Sequence, residues 1–354
     1  MRETVKTMWM RPAIIALFSL AATCGASAEE FQVVKVPSAV AASIKDLKPK
    51  TIFFSDHRNA DGSGGFVKFE DWGRTIPVEK QFLSLYPAFT EAMVTRAVDG
   101  VTKTYKDKLQ VYIAEARFSI DKPASAIDLS KYADIDFMEK LDPQIKHQVI
   151  KPGDFLYSKD ERNINNKNPD REWCEGTTVA LCLRSRYQLE GKIPMGIALA
   201  NKLRDNEKRL ANYVEYENEL RLLGPTDIDE PGLRKLTGVD APVTAVLEQN
   251  IFAVNQIMRF GKFIIILQQN PENPNGGVVS ALLSLAVSSS TLEMKKSYES
   301  VPVLRNLVPS QVLMGNSSFN TGNSISAGLP AYARNRVKAI AGILENDKGN
   351  TALK

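Results

Sequence analysis

The chain has 354 residues, of which 24% are charged and 44% hydrophobic, and a formal net charge of +4. That balance gives no electrostatic footprint for nucleic acid, and no basic cluster interleaved with aromatics supplies one locally. With only two histidines and three cysteines, a zinc site would need nearly every soft ligand of the chain in one place, and no His-based metal motif or Rossmann glycine pattern is present.

Residues 1–28 read as a cleaved export signal. Arg2, Lys6 and Arg11 precede the apolar run PAIIALFSLAA, and small residues at Ser27 and Ala28 precede the acidic pair Glu29–Glu30. Cleavage after Ala28 is expected, delivering the protein to a periplasmic or extracellular space. Losing three basic residues and one acidic residue takes the net charge from +4 to +2. The apolar run is shorter than the about 18 residues of a membrane span, and GGVVSALLSLAVSSS, the longest later candidate, is interrupted by serines.

Residues 29–158 form a mixed N-terminal region. FQVVKV and TIFF read as strands, and SAVAASIKDLK as a helix capped by serine. The stretch SDHRNADGSGG, residues 55–65, fails as a calcium loop: His57 stands where a carboxylate is needed, and Lys68 where a bidentate glutamate is needed. Asp61 to Gly65 also exchange the order of the serine-protease signature Gly-Asp-Ser-Gly-Gly, so the stretch reads as a hairpin loop leading to GFVKF, with His57 and Ser63 dispensable. VEKQFLSLYPAFTEAMVTRAV, residues 78–98, has helical spacing broken at Pro87. KLQVYIAEARFSI alternates as a strand, and the segments up to KPGDF read as short elements joined by turns. Residues 159–172 are polar and aperiodic, a linker or long loop.

Residues 173–354 form the second region. Cys174 and Cys182 are expected to pair, since an exported chain favours a disulfide. Fully extended, their Cα atoms would lie about 26 Å apart at about 3.3 Å per residue. A disulfide needs about 4.4–6.8 Å, so the chain must reverse over Glu175–Thr178. In TTVALCLRSRYQL, Val179, Leu181, Leu183, Ser185, Tyr187 and Leu189 share one face; Arg184 and Arg186 share the other. Glu215, Glu217 and Glu219 likewise share one face of NYVEYENELRLL, which predicts an arginine–glutamate ladder if the two strands are neighbours. Arg184, Arg186 and Tyr187 are the candidate ligand-binding residues, the guanidinium groups being suited to an anionic head group. Pro194 suits the first turn of a short helix, PMGIALANKL. VTAVLEQNIFAVNQIM, KFIIILQQ and GVVSALLSLAVSS follow, divided by a turn at Phe260–Gly261 and a hairpin connection at NPENPNGG. GNSSFNTGNSISAG, residues 315–328, reads as a tight loop before a last helix starting at Pro330. Its stripe Ala333, Val337, Ile340 and Leu344 is predicted to cover sheet residues such as Ile264, Ile266, Leu283 and Leu285.

The fold class expected is therefore α+β, a mainly antiparallel sheet with a C-terminal amphipathic helix packed on it. In element order this resembles the helix-grip arrangement of lipid-binding domains. The function expected is binding of a lipid or small amphiphile, or of an envelope protein, without evident enzyme chemistry. The alternatives are a hydrolase acting on cell-envelope material through Asp/Glu chemistry, or a structural or assembly protein.

Overall fold

The computed structural model describes residues 31–56, 91–98, 101–155, 172–188, 213–254, 258–288 and 321–346. Among the described residues, ten strands make one sheet: β1 (Gln32–Lys35), β2 (Thr51–Asp56), β3 (Glu91–Val98), β4 (Val101–Ile120), β5 (Ile145–Val149), β6 (Val179–Gln188), β7 (Tyr213–Leu223), β8 (Val243–Val254), β9 (Met258–Gln269) and β10 (Gly277–Ser288). Helices α1 (Ile135–Leu141), α2 (Glu230–Thr237) and α3 (Thr321–Asn346) accompany it. Strands β5 to β10 pair in sequence order as an antiparallel meander, and β10 returns to pair with β4. With short helical turns and α1 between β4 and β5, and α3 after β10, this is the helix-grip order. The expected α+β class holds.

Beyond that order, β2 pairs antiparallel with the end of β4, and β1 lies parallel to β2. Strand β3 pairs with the first part of β4, so EAMVTRAV is strand rather than the expected helix. Its directly paired Val98 and Val101 are separated only by Asp99 and Gly100, a dipeptide that two-residue hairpins favour. Residues 78–90, the rest of that expected helix, lie outside the described residues, as do the leader, the loop beyond Asp56, the 159–171 linker and PMGIALANKL.

The register sorts the sheet into two faces. Ala116 pairs with Phe54 and Ala281, Ala281 with Ile265, Ile265 with Leu247, and Leu247 with Leu222. This front face is apolar and joins one core with Leu129, Tyr132 and Met138 and with the stripe Ala333, Val337, Ile340, Ala341 and Leu344 of α3. The stripe is thus as predicted, but its partners are not all so. Ile264 pairs with Leu282 and Glu248 and so lies, like Ile266, on the back face; Leu283 lies on the front. Helix α3 also starts at Thr321, nine residues before Pro330, so 321–328 are helical rather than loop.

The C-terminal end of α3 is pinned to the start of the sheet. Lys50 Nζ meets Glu345 at 2.8 Å, the Asp121 amide donates to Glu345 at 3.2 Å, and Lys122 Nζ donates to the Leu344 carbonyl at 3.2 Å. A cation on the last carbonyls of a helix also complements its dipole. Further along, Arg336 reaches Asp142 beside β5 at 3.7 Å.

On the back face, Arg117, 1% exposed, donates to the carbonyls of Val40, Ala42 and Thr237 and to Ser280 Oγ. Burial lowers its pKa to about 10, Glu115 opposing the shift. Glu115 accepts from Ser38, Ser55 and the Val40 amide. These contacts explain why SAVAASIKDLK is not the expected helix and holds only the 3-10 turn Ile44–Asp46. Backbone groups that a helix would satisfy internally are taken by two buried charges of β4.

Candidate functional site

The predicted arginine–glutamate ladder is present. Arg184 pairs across the strands with Glu217 at 2.9 Å and Arg186 with Glu215 at 2.7 Å. Arg184 also donates to the Asp154 carbonyl, and Arg186 lies over the Tyr213 ring at 4.2 Å. The Glu215 hydrogen bond raises the pKa of Arg186. Both guanidinium groups lie on the back face, whereas Tyr187 faces front and donates to Gln144 Oε1 at 2.8 Å. The three sequence candidates do not converge.

The back face continues inward as a buried charge lattice. Glu217 and Glu219 have no exposure, and Glu248 lies between Arg221 at 3.3 Å and Lys262 at 3.5 Å. Burial lowers the Lys262 pKa, against the raising effect of Glu248. The expected disulfide closes one end of this lattice. Cys174 and Cys182 are bonded with Cα atoms 5.4 Å apart, and the reversal uses positive φ at Cys174 and Gly176. The stapled turn places the Cys174 amide 2.8 Å from Glu219 Oε2 and stacks Trp173 on Phe252 at 5.1 Å.

The front face holds a feature that the sequence reading missed. Ser185 and Asn218, both fully buried, occupy core-facing positions next to Leu183 and Leu220. Gln249 Nε2 donates to Asn218 Oδ1 at 3.0 Å, and Asn218 Nδ2 donates to Ser185 Oγ at 2.8 Å. Ser185 Oγ lies 2.8 Å from His147 Nδ1 on β5. Burial lowers the His147 pKa to about 4; Glu139 opposes that shift, and Arg336 and Lys146 add to it. The imidazole is therefore neutral at physiological pH. Ser185 Oγ accepts from Asn218, and Nδ1 is the acceptor within reach of its own hydroxyl proton; that direction corresponds to the tautomer with the ring proton on Nε2. The chain of donors thus runs one way, from β8 to β5, and ends at an N–H.

This polar chain continues an apolar strip. Phe263 and Leu283 are cross-strand neighbours on the front face, only partly buried, and Gln249 pairs with Phe263. Along one direction the face therefore passes from Leu283 and Phe263 through Gln249, Asn218 and Ser185 to His147. The track crosses four strand spacings, roughly 19 Å at about 4.8 Å each, and shifts by four residues along the strands, roughly 13 Å, so its ends lie roughly 23 Å apart. The nearby edge of β5 is closed to strand pairing at His147, whose amide donates to Glu139 at 2.9 Å. A separate cleft of about 380 Å³ lies at the far end of the strands, lined by residues including Lys45, Asp121, Asn270 and Glu272. Among the described residues, no group of three or more His, Cys, Asp or Glu side chains could hold a metal ion, and no helix is long and apolar enough to cross a membrane.

No protein-family profile matches the chain, and no curated relative matches it. Similar solved structures include the aromatase/cyclase Zhui from a Streptomyces species, at 8% identity and TM-score 0.35, covering 69% of this chain and 96% of that one. A START superfamily protein from Mycobacterium smegmatis matches at 8% identity and TM-score 0.30, covering 66% and 97%. A human lipid transfer and protein localization domain matches at 9% identity and TM-score 0.29, covering 75% and 96%. What this chain binds has to be read from its own side chains.

Proposed function

We propose that the protein binds a lipid-like or small amphiphilic molecule on the front face, beside α3. The carrying observation is the graded track from Leu283 and Phe263 to His147: partly buried apolar side chains at one end, and a directed hydrogen-bond chain at the other. Buried polar groups cost about 1–3 kcal/mol when unmatched, so a polar chain inside an apolar face is kept where it specifies either register or a ligand. Here its terminal group is an imidazole that is only half buried. Hydrolysis by paired carboxylates is the weaker reading. Among the described residues, Glu215, Glu217 and Glu248 each face an arginine or lysine, which holds them as ion pairs.

The proposal places the protein outside the cytoplasm, in the cell envelope or beyond it. The leader-like residues 1–28 and the Cys174–Cys182 disulfide support that location. Binding is tested by titrating the purified mature protein with monododecanoylglycerol in a calorimeter. Saturable one-to-one uptake, abolished by Phe263→Asp in a protein that still folds, is the expected result; no saturable uptake would overturn the reading.

A further inference from the structure

We infer that the polar end of the bound molecule is an uncharged hydrogen-bond acceptor, such as an ester or amide carbonyl, received by His147 Nε2–H. This rests on the proposed front-face site and names its head-group chemistry. The donor chain favours a donor at the outlet: Gln249 gives to Asn218 and Asn218 to Ser185, and a Ser185 hydroxyl that passes its own proton toward Nδ1 leaves the ring proton on Nε2. A ligand group that only donates finds no acceptor on a protonated Nε2.

The charges around His147 are balanced. Lys146 Nζ lies 2.5 Å from Glu139, and Arg336 faces Asp142 at 3.7 Å. Among the described residues, the two cations that act on the imidazole, Lys146 on β5 and Arg336 on α3, thus already have a carboxylate. A carboxylate ligand would have to displace Asp142 or Glu139 or add a net negative charge. A neutral carbonyl needs neither change. The oblique track, roughly 23 Å from Phe263 to His147, is also long enough for a medium-length acyl chain lying on Phe263 and Leu283 with its head at β5. Ser185 and Asn218 act here as positioning residues, since they reach the ligand only through the imidazole.

The test titrates wild type, His147→Ala and His147→Gln with monododecanoylglycerol, dodecanoate and dodecylamine at neutral pH. The expected order is glycerol ester tightest, dodecanoate weaker and the amine weakest. His147→Ala is expected to weaken the ester by roughly three- to tenfold, the worth of one neutral hydrogen bond, and to leave the amine unchanged. His147→Gln, which restores an uncharged donor, recovers part of the loss. Ester affinity should stay flat at pH values above the His147 titration near 4. Dodecanoate binding as tightly as the ester, or His147→Ala leaving all three unchanged, would overturn the head-group assignment while the binding site stood. Failure of all three probes to bind would overturn both.

Discussion

Truncating Ile340 to alanine should destabilise the whole sheet–helix unit. Ile340 is 3% exposed in the middle of the α3 stripe and shares a core with Ile52, Phe54, Ala116 and Phe118. The change removes three carbons, worth about 2.4 kcal/mol at about 0.8 kcal/mol per buried methylene. The opposing wall is a hydrogen-bonded sheet carrying two phenylalanine rings, so it collapses poorly and the remaining void adds to the cost. A total of about 3–4 kcal/mol is expected, within the usual range of about 2–5 for such truncations. Ile343 lies on the same helix but is only partly buried, and Ile343→Ala should cost about half as much. Urea unfolding followed by far-ultraviolet circular dichroism measures both, with an unchanged dependence on denaturant showing that the unfolded state is the same. A loss below roughly 1 kcal/mol for Ile340→Ala, or an equal loss for the two variants, would refute the view that α3 closes the core.

Cys182→Ser should cost about 2.5 kcal/mol in the chain-entropy account of a loop this short, with the fold retained; unchanged thermal stability would argue against a structural disulfide. Arg117→Met should strip the carbonyls of Val40, Ala42 and Thr237 and strand Glu115, at about 3–5 kcal/mol. Limited proteolysis should then cut within residues 36–47, and unchanged resistance there would contradict the role given to Arg117. Acid should destabilise the protein through His147. Its folded pKa is lowered to about 4, whereas an unfolded histidine titrates near about 6.5, so the unfolded chain takes up the proton first. The stability from neutral His147 is complete above the unfolded value and is lost as pH falls toward the folded one. His147→Gln should flatten that slope, and an unchanged slope in the variant would assign it elsewhere.

The elements that carried local signals were legible. The alternation of TTVALCLRSRYQL and NYVEYENELRLL gave β6 and β7, and their shared parity gave the Arg184–Glu217 and Arg186–Glu215 pairs. The turn-rich NPENPNGG gave the β9–β10 connection, and the Ala333–Leu344 stripe gave the buried side of α3. Features that depend on distant partners were not legible. Glu115 and Arg117 alternate with Ala114, Ala116 and Phe118, and alternation alone does not mark them as buried; they are buried because residues 36–47 and the end of α2 fold back over them. Parity alone could not place Ile264 and Leu283 on one side, because strand register decides which residues share a face. Two signals were present and unread. Asp99–Gly100 marked the β3–β4 hairpin, and Ser185 and Asn218 were polar residues at core-facing positions of otherwise apolar alternation. The second signal could have pointed to the front-face chain, but not to His147, which joins it only through the β5–β6 pairing. Likewise Asp229 as N-cap and Gly238 in the left-handed conformation bracket α2, a helix that its polar flanks concealed.

Native mass spectrometry of the protein, purified without detergent from the cells that make it, tests the central claim most directly. The account predicts a chain beginning at Glu29 that carries one lipid-sized, non-covalent adduct, released on collisional activation and missing from the Phe263→Asp variant. A bare chain that also fails to take up added monododecanoylglycerol would contradict it.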